Sequence, residues 1–344
     1  MPNRIKLGLI GVQKWGEHVG DQMAASKVVS PAWLFDVNTA AANRAAEKWN
    51  ATAARNLSEL LGSDVAGVVI VTPNQTHVEL GLAVAAAGKH AMIIKPLANS
   101  VAECRELVDG FAKAHRFLAT GHPARKSPIC QHVKHLLDTG KFGQVVLATA
   151  VLGHNGGMKK SPSDWRARRE FAPGGPLIQL VVHTFDTWQY WFGPIVEVLA
   201  AGGHRATPGD NDDYFAGQAR FADGLVGNFA TQYAAPGAGF EAVYGTDRTV
   251  VLSGEEPFEV RRIVNETDKP LWPDTERQSL SFEPADTNRR DIEDFARDIV
   301  AGRQPTASGE DGLRAIACVH AALASRDRGG AWVKVEEVMG KNAP

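Results

Sequence analysis

The sequence predicts an α/β protein. A doubly wound parallel sheet comes first, and a second α/β region built on a mostly antiparallel sheet follows it. Three observations carry this prediction. Residues 5 to about 120 alternate short apolar runs with helical stretches, the signature of repeated β-α units whose right-handed crossovers put helices on both sheet faces. One of those runs, Val65–Val71, is apolar throughout, as expected of a strand buried on both sides. After residue 122 the texture changes to alternating stretches, Val145–Val151, Phe215–Phe221, Leu225–Phe229 and Thr249–Leu252. Those read as half-buried strands with helices on one face. At ~150 residues per domain, the 344 residues hold two domains, placed at 1–122 and 123–344.

The elements follow in order. Ile5–Ile10 is a strand that stops at a glycine turn, and a helix runs from about Trp15 to Ser26. Ala32–Phe35 is the second strand, and Asn38 is placed to cap a helix reaching Asn50. Pro73 and Asn74 break the strand Val65–Val71. The helix from about Thr76 to Ala87 ends at Gly88, a favourable C-terminal residue. The strand His90–Ile94 runs into Lys95-Pro96. Ser100 and Glu103 form the S-x-x-E of a capping box opening a helix to about His115, and Arg116–Thr120 is a further strand. Helices over Leu177–Phe192, Arg289–Ala301 and Glu310–Arg326 complete the set.

Charge and composition exclude several function classes. The apolar fraction is 44%, the charged fraction 22%, and the formal net charge −2, which speaks against the concentrated basic face of a nucleic-acid or membrane binder. Cys104, Cys130 and Cys318 are widely spaced and form no C-x-x-C pair, so neither a disulfide framework nor a zinc site is expected. Three thiols in a chain of this length fit a reducing compartment. The apolar stretch Leu7–Val12 is shorter than the ~7–15 apolar residues of a secretion signal, and no run reaches the ~18 of a membrane span. These features predict a cytoplasmic protein. No metal site is expected: the histidines include no H-E-x-x-H, and His132 and His135 lack suitable neighbours.

The first turn carries a cofactor signature. Gly11-Val12-Gln13-Lys14-Trp15-Gly16 stands where a G-x-G-x-x-G loop links strand to helix, with Gln13 in place of the middle glycine. In that loop the first glycine permits the tight turn and the third lets helix and strand pack closely, while phosphates meet the helix N-terminus. Asp36 ends the second strand, where a carboxylate accepts from ribose hydroxyls and repels a 2′-phosphate. A Rossmann domain that binds NAD(H) rather than NADP(H) is therefore expected.

The helix Leu177–Phe192 is apolar nearly all round and is expected to be buried. Gln179, His183, Asp186 and Tyr190 recur on it at spacings of four, three and four, tracing one face. Such a stripe either forms a satisfied core network or lines a polar cavity. Lys159, Lys160, Arg166, Arg168 and Arg169 form a basic cluster, which reads as a solvated loop or as a contact for an acidic substrate group. Arg125 and Trp165-Arg166 are further candidates for a pocket wall, and His122, His154, Asn155 and Tyr214 carry no assignment.

Four segments together resemble one family. They are Thr72-Pro73-Asn74-Gln75-Thr76-His77, the stretch Ala87–Leu97 ending in Lys95-Pro96-Leu97, the run Gly174–Asp186, and the closing Gly302-Arg303-Gln304-Pro305 with Gly309-Glu310-Asp311-Gly312-Leu313. The chain is similar, over nearly its whole length, to the glucose–fructose oxidoreductase / inositol dehydrogenase / MocA-like family. The resemblance implies a Rossmann domain followed by an α/β domain with a large open sheet. It also implies a nicotinamide cofactor, sugar, cyclitol or related polyol substrates, and homodimers or homotetramers paired through that sheet. Cofactor contacts are implied at Thr72, Pro73, Asn74, His77, Lys95 and Pro96, beside Gly11, Gln13, Lys14, Trp15, Gly16 and Asp36.

Within the family pattern the catalytic set maps to Lys95, His183 and Gln179; the expected substrate contacts are Gln179 and His183, with Arg125, Trp165 and Arg166 as the pocket-wall candidates already named. Ile94 stands where the family has a glutamate, and Gln179 where it has an aspartate. Lys95 lies at the carboxyl end of a parallel strand, beside the crevice where open α/β sheets bind ligands. Without those two carboxylates an ammonium is harder to hold, which suits proton transfer near neutrality. Gln179 cannot exchange protons but can orient a hydroxyl or an imidazole. The expected function is hydride transfer to or from a hydroxyl-bearing carbon. The alternatives are an NAD-dependent glycosidase or lyase with transient oxidation and no net redox, and a non-catalytic cofactor-binding regulator.

Overall fold

The computed structural model describes residues 4–237, 239–253, 256–262 and 275–340. The chain divides into two units. The first runs to Lys126 and adds Ala285–Ile316; the second comprises Ser127–Pro284 and the chain from Ala317.

In the first unit β1 (Ile5–Ile10), α1 (Trp15–Ala25), β2 (Val29–Phe35), α2 (Thr39–Trp49), β3 (Thr52–Ala53) and α3 (Leu57–Leu61) lead into β4 (Gly67–Ile70). Then come α4 (His77–Ala86), β5 (His90–Ile94), α5 (Val101–Lys113) and β6 (Leu118–Gly121). The sheet order is β3-β2-β1-β4-β5-β6 and every pairing is parallel, which is the Rossmann order. Asn38 accepts from Ala41 N–H to cap α2, and Ser100 and Glu103 form the expected reciprocal capping box on α5.

Helices cover both faces. On one, Leu7, Leu9, Val69, Met92 and Ala119 of the strands join Val19 and Met23 of α1 and Trp49 of α2 in one buried cluster. A Cβ on Gly20 would stand 2.1 Å from the Trp49 ring, so glycine lets the indole lie against α1. On the other face a Cβ on Gly81 of α4 would meet Leu107 of α5 and Ile93 of β5. The helix Thr287–Ala301 completes the first cluster through Ile292, Phe295 and Ala296. That segment was expected in a domain running continuously from residue 123; the structure packs it on the first sheet. The apolar stripe of an amphipathic helix shows that it must be buried, but not against what.

The second unit begins with α6 (Pro128–Asp138) and β7 (Val145–Gly153). They are followed by α7 (Val182–Phe192), β8 (Ile195–Gly203), β9 (Tyr214–Phe221), β10 (Val226–Gln232), β11 (Phe240–Gly245), β12 (Arg248–Ser253), β13 (Phe258–Arg262) and β14 (Thr275–Ser279). The remaining elements are α8 (Thr287–Ala301), already placed, α9 (Gly309–Asp327), β15 (Val333–Lys334) and α10 (Val335–Met339). The sheet order is β14-β13-β12-β11-β7-β10-β9-β8-β15. Only β7 and β10 pair in parallel; the other pairings are antiparallel.

One face of this sheet is buried through Ala148, Ala150, Val198, Ala200, Phe215, Ala219, Phe221 and Phe229, and α7 lies on it. Phe185 meets Phe229 edge-on at 5.2 Å, and a Cβ on Gly227 would stand 2.4 Å from the Trp188 ring. On the opposite face Leu199, Ala201, Ala216, Gln218, Asn228 and Ala230 are all partly or fully exposed. Among the described residues no helix is long and apolar enough to cross a membrane.

Candidate active site

The glycine loop is shaped by backbone contacts. Gly11 follows β1 with φ +86°, and a Cβ there would come within 2.7 Å of the Val71 carbonyl oxygen. A Cβ on Gly16 would stand 2.1 Å from the Gly11 oxygen. Both positions therefore require glycine, for the turn and for close helix–strand approach. Lys14, at φ 51°, precedes α1 and gives it no side-chain cap; the Gly16 N–H donates to the Gln13 carbonyl at 2.9 Å, and the uncapped N-terminus of α1 suits an anion. Trp15 is 48% exposed and stacks on His18 at 4.6 Å.

Gln13 does not fill the cradle. Its Nε2 donates to Asp36 Oδ1 at 3.0 Å, laying the side chain along the end of β2. Asp36 is 7% exposed, and it also accepts from Val12 N–H at 2.9 Å and Asn38 N–H at 2.9 Å. A narrow loop over a capless helix N-terminus, closed at one side by a fixed carboxylate, fits the pyrophosphate and ribose of a dinucleotide.

The turn after β4 is a compact hydrogen-bonded unit. Thr76 Oγ1 meets Thr72 Oγ1 at 2.7 Å and donates to the Pro73 carbonyl at 2.8 Å; Pro73 itself is exposed. Asn74 and His77 are 4% and 1% exposed. Asn74 Nδ2 donates to Asn99 Oδ1 at 3.0 Å. His77 Nδ1 lies 3.0 Å from the Pro96 carbonyl and Nε2 lies 3.0 Å from the Thr72 carbonyl. Both side chains thus face the loop that carries Lys95.

Lys95 is half-buried at the carboxyl end of β5. Its N–H donates to the Gly121 carbonyl at 3.4 Å, its peptide to Pro96 is cis, and Pro96 is buried. His122 is its neighbour: burial, then the Arg125 and Lys95 cations, hold that imidazole well below its usual range. His122 is thus a neutral ring at neutral pH.

Arg125, expected on a pocket wall, is 4% exposed. It pairs with Asp311 at 3.3 Å and donates to the Thr306 carbonyl at 2.6 Å. These contacts account for its charge inside the first unit without a ligand. The partner, Asp311, is held below the usual carboxylate range by Arg125 and Ser308 against the cost of burial.

In the second unit the helix bearing Gln179 and His183 is as buried as expected: Leu177, Ile178, Val181, Phe185 and Trp188 are all 0% exposed. Its start differs. Leu177–Val181 forms a π-helical turn before α7, and its wider i→i+5 winding changes the angle between Gln179 and His183 from that of a regular helix. Gln179 is 5% exposed and His183 is half-buried. The stripe then divides. Asp186 is fully buried, whereas Tyr190 accepts from Gln131 of α6 at 3.4 Å and lies under the Lys134 ammonium at 5.6 Å.

The basic cluster divides as well. Lys160 pairs with Asp164, Arg168 with Glu170 and Arg169 with Asp212. Arg166 instead stacks on Trp165, 4.1 Å from guanidinium carbon to ring centre. Its turn is held by Asn211 Nδ2, which donates to the Arg166 and Ala172 carbonyls at 3.0 and 2.6 Å. Asn211 and Asp212, the latter ion-paired to Arg326 at 2.6 Å, went unnoticed in sequence; the polar run Asp210–Asp213 was the available signal. Among the described residues no group of three His, Cys, Asp or Glu side chains is placed to hold a metal.

Comparisons with known proteins agree with this layout. Residues 5–122 match the model of an oxidoreductase family with an NAD-binding Rossmann fold, and residues 130–256 match the GFO/IDH/MocA C-terminal domain. The chain is 29% identical to 1,5-anhydro-D-fructose reductase of Ensifer adhaerens, over 76% of this chain and 78% of that protein. It is 25% identical to myo-inositol 2-dehydrogenase of Thermotoga maritima, over 98% of this chain and 100% of the relative. Among solved structures, an oxidoreductase of Desulfitobacterium hafniense described as NADPH-dependent superposes with TM-score 0.91 at 25% identity, covering 99% of this chain and 100% of its own. A levoglucosan dehydrogenase in complex with NADH shares the fold, with TM-score 0.86 at 21% identity, over 97% of this chain and 100% of its own. With both of its domain models matched in order, the chain belongs to the Gfo/Idh/MocA family of NAD-binding oxidoreductases.

Proposed function

We propose that this protein is an NAD(H)-dependent dehydrogenase or reductase acting on a hydroxyl-bearing carbon of a sugar, cyclitol or related polyol. The observation that carries the reading is Lys95, fixed at the carboxyl end of β5 in a sheet whose first turn fits a dinucleotide. The relatives named for anhydrofructose, inositol and levoglucosan support the substrate class.

The bound nicotinamide supplies the hydride acceptor or donor. The chain supplies the rest. Gly11, Gly16 and the N-terminus of α1 hold the phosphates, and Asp36 accepts from the ribose hydroxyls. Lys95 takes the hydroxyl proton as the carbinol carbon loses hydride and returns it in the reverse direction. His183 and Gln179, one turn apart on the helix that starts with the π turn, orient the reacting hydroxyl. Trp165 and Arg166 form a flat, cationic wall for the rest of the substrate, which extends the reading to acidic sugars.

Cys104, Cys130 and Cys318 are free and buried, in keeping with a reducing, cytoplasmic setting. The uncovered face of the nine-stranded sheet is the surface through which copies would pair as homodimers or homotetramers. A panel of polyols, sugar acids and glycosides incubated with NAD tests the function. At least one sugar or cyclitol should drive NADH formation, and Lys95→Met should lower turnover ~10²–10⁴-fold while sparing NADH binding. Undiminished turnover in that variant would remove Lys95 from the mechanism.

A further inference from the structure

We propose that His77 is a positioning residue for Lys95, its imidazole Nδ1–H clamping the backbone immediately after the catalytic lysine. Nδ1 of His77 faces two carbonyl oxygens, Pro96 at 3.0 Å and Leu97 at 3.3 Å. Nε2 faces one, Thr72 at 3.0 Å. A neutral imidazole has a single N–H, and burial lowers the His77 pKa against the pull of these carbonyls. Placing the one proton on Nδ1 satisfies the side with two acceptors, and those acceptors belong to the two residues that follow Lys95.

The rest of that loop is held as firmly. Glu103 accepts from Asn99 N–H at 3.0 Å and Ser100 N–H at 2.9 Å, while Asn74 Nδ2 bonds Asn99 Oδ1. Leu97 and Ala98 are fully buried. Lys95 therefore leaves β5 on a segment with little freedom to shift, and its long flexible stem starts from a fixed point. His77 is the only one of these ties that reaches the peptides next to the lysine. Because it is 1% exposed, it acts through the backbone and not by touching a ligand.

The proposal rests on Lys95 as the proton-transfer group, so its test includes a readout that needs no turnover. Asn places an amide donor near the Nδ1 position, and Gln places one near Nε2. With the substrate found in the panel, His77→Ala and His77→Gln should each lower kcat at least tenfold, with KM and NADH affinity within about threefold of the parent. His77→Asn should recover most of the loss. In the same variants the pH dependence of Lys95 modification by an amine reagent, read by peptide mass spectrometry, should shift for Ala and Gln and return to the parent profile for Asn. Equal impairment by Asn and Gln would overturn the proposal, as would losses of kcat that simply follow melting temperature or NADH binding. If Lys95→Met keeps turnover but the modification profiles behave as stated, the catalytic reading fails and the clamp stands.

Discussion

At the scale of single residues, the proposed cofactor site turns on Asp36 and Gln13. The carboxylate of Asp36 is held by three N–H donors, one of them the Gln13 amide. A 2′-phosphate would meet that fixed charge, so NAD(H) should bind at least tenfold tighter than NADP(H), about 1.4 kcal/mol, by calorimetric titration of the apoprotein. Gln13→Gly removes one donor from Asp36 and restores close backbone approach, so NADH affinity should stay within a few-fold or rise. A loss beyond tenfold would mean that the glutamine amide itself holds the cofactor. The sequence located this pair, because a strand, a glycine and an acidic strand end follow from local pattern. It did not reveal that Gln13 folds onto Asp36, since a side chain's rotamer depends on neighbours brought from 23 positions away. His77 shows the same limit. Its motif marked it as a cofactor contact, and only tertiary packing turns both ring nitrogens toward backbone carbonyls.

At the scale of elements, the parallel strands and capped helices of the first unit were legible because each carries its own signal: the Val65–Val71 run, the Asn38 cap, the Ser100–Glu103 box. The strands β8, β11, β13 and β14 and the helix α6 were not assigned from sequence. Pairings such as β7 with β10, some eighty residues apart in the chain, are set by non-local contacts that leave little local trace. The π turn before α7 was equally silent. One element also carries a titration. Glu241 on β11 accepts from Trp188 Nε1–H at 2.6 Å, and burial pushes its carboxyl up to about 7, with the indole bond pulling the other way. The fold then keeps this proton after the unfolded chain has lost it near the ordinary value of 4.5. The contribution to stability is therefore greatest at low pH and falls as pH rises from about 4.5 to about 7. Glu241→Gln keeps an acceptor for Trp188 without the titration. Its denaturation midpoint should gain on the parent across that window, and a constant difference would contradict the raised carboxyl.

At the scale of the whole molecule the chain divides into two units: the first carries the glycine loop, Asp36 and Lys95, the second carries Gln179 in the π turn and His183 in α7. The segment 285–316 that returns to the first unit supplies Asp311 for Arg125 and a covering helix for the sheet. A continuous boundary at residue 122 does not show this, because amphipathic stripes fix burial but not partner. In the mechanism proposed above, Lys95 and His183 serve simple hydride transfer, and Gln179 leaves one proton-transfer group fewer for elimination or hydrolysis beyond it. The most direct measurement follows product and NADH absorbance together for the substrate found in the panel, with stoichiometric NAD in deuterated solvent. Net hydride transfer predicts one NADH for each product formed. Many turnovers without NADH, with deuterium entering beside the oxidised carbon, would contradict it in favour of transient oxidation.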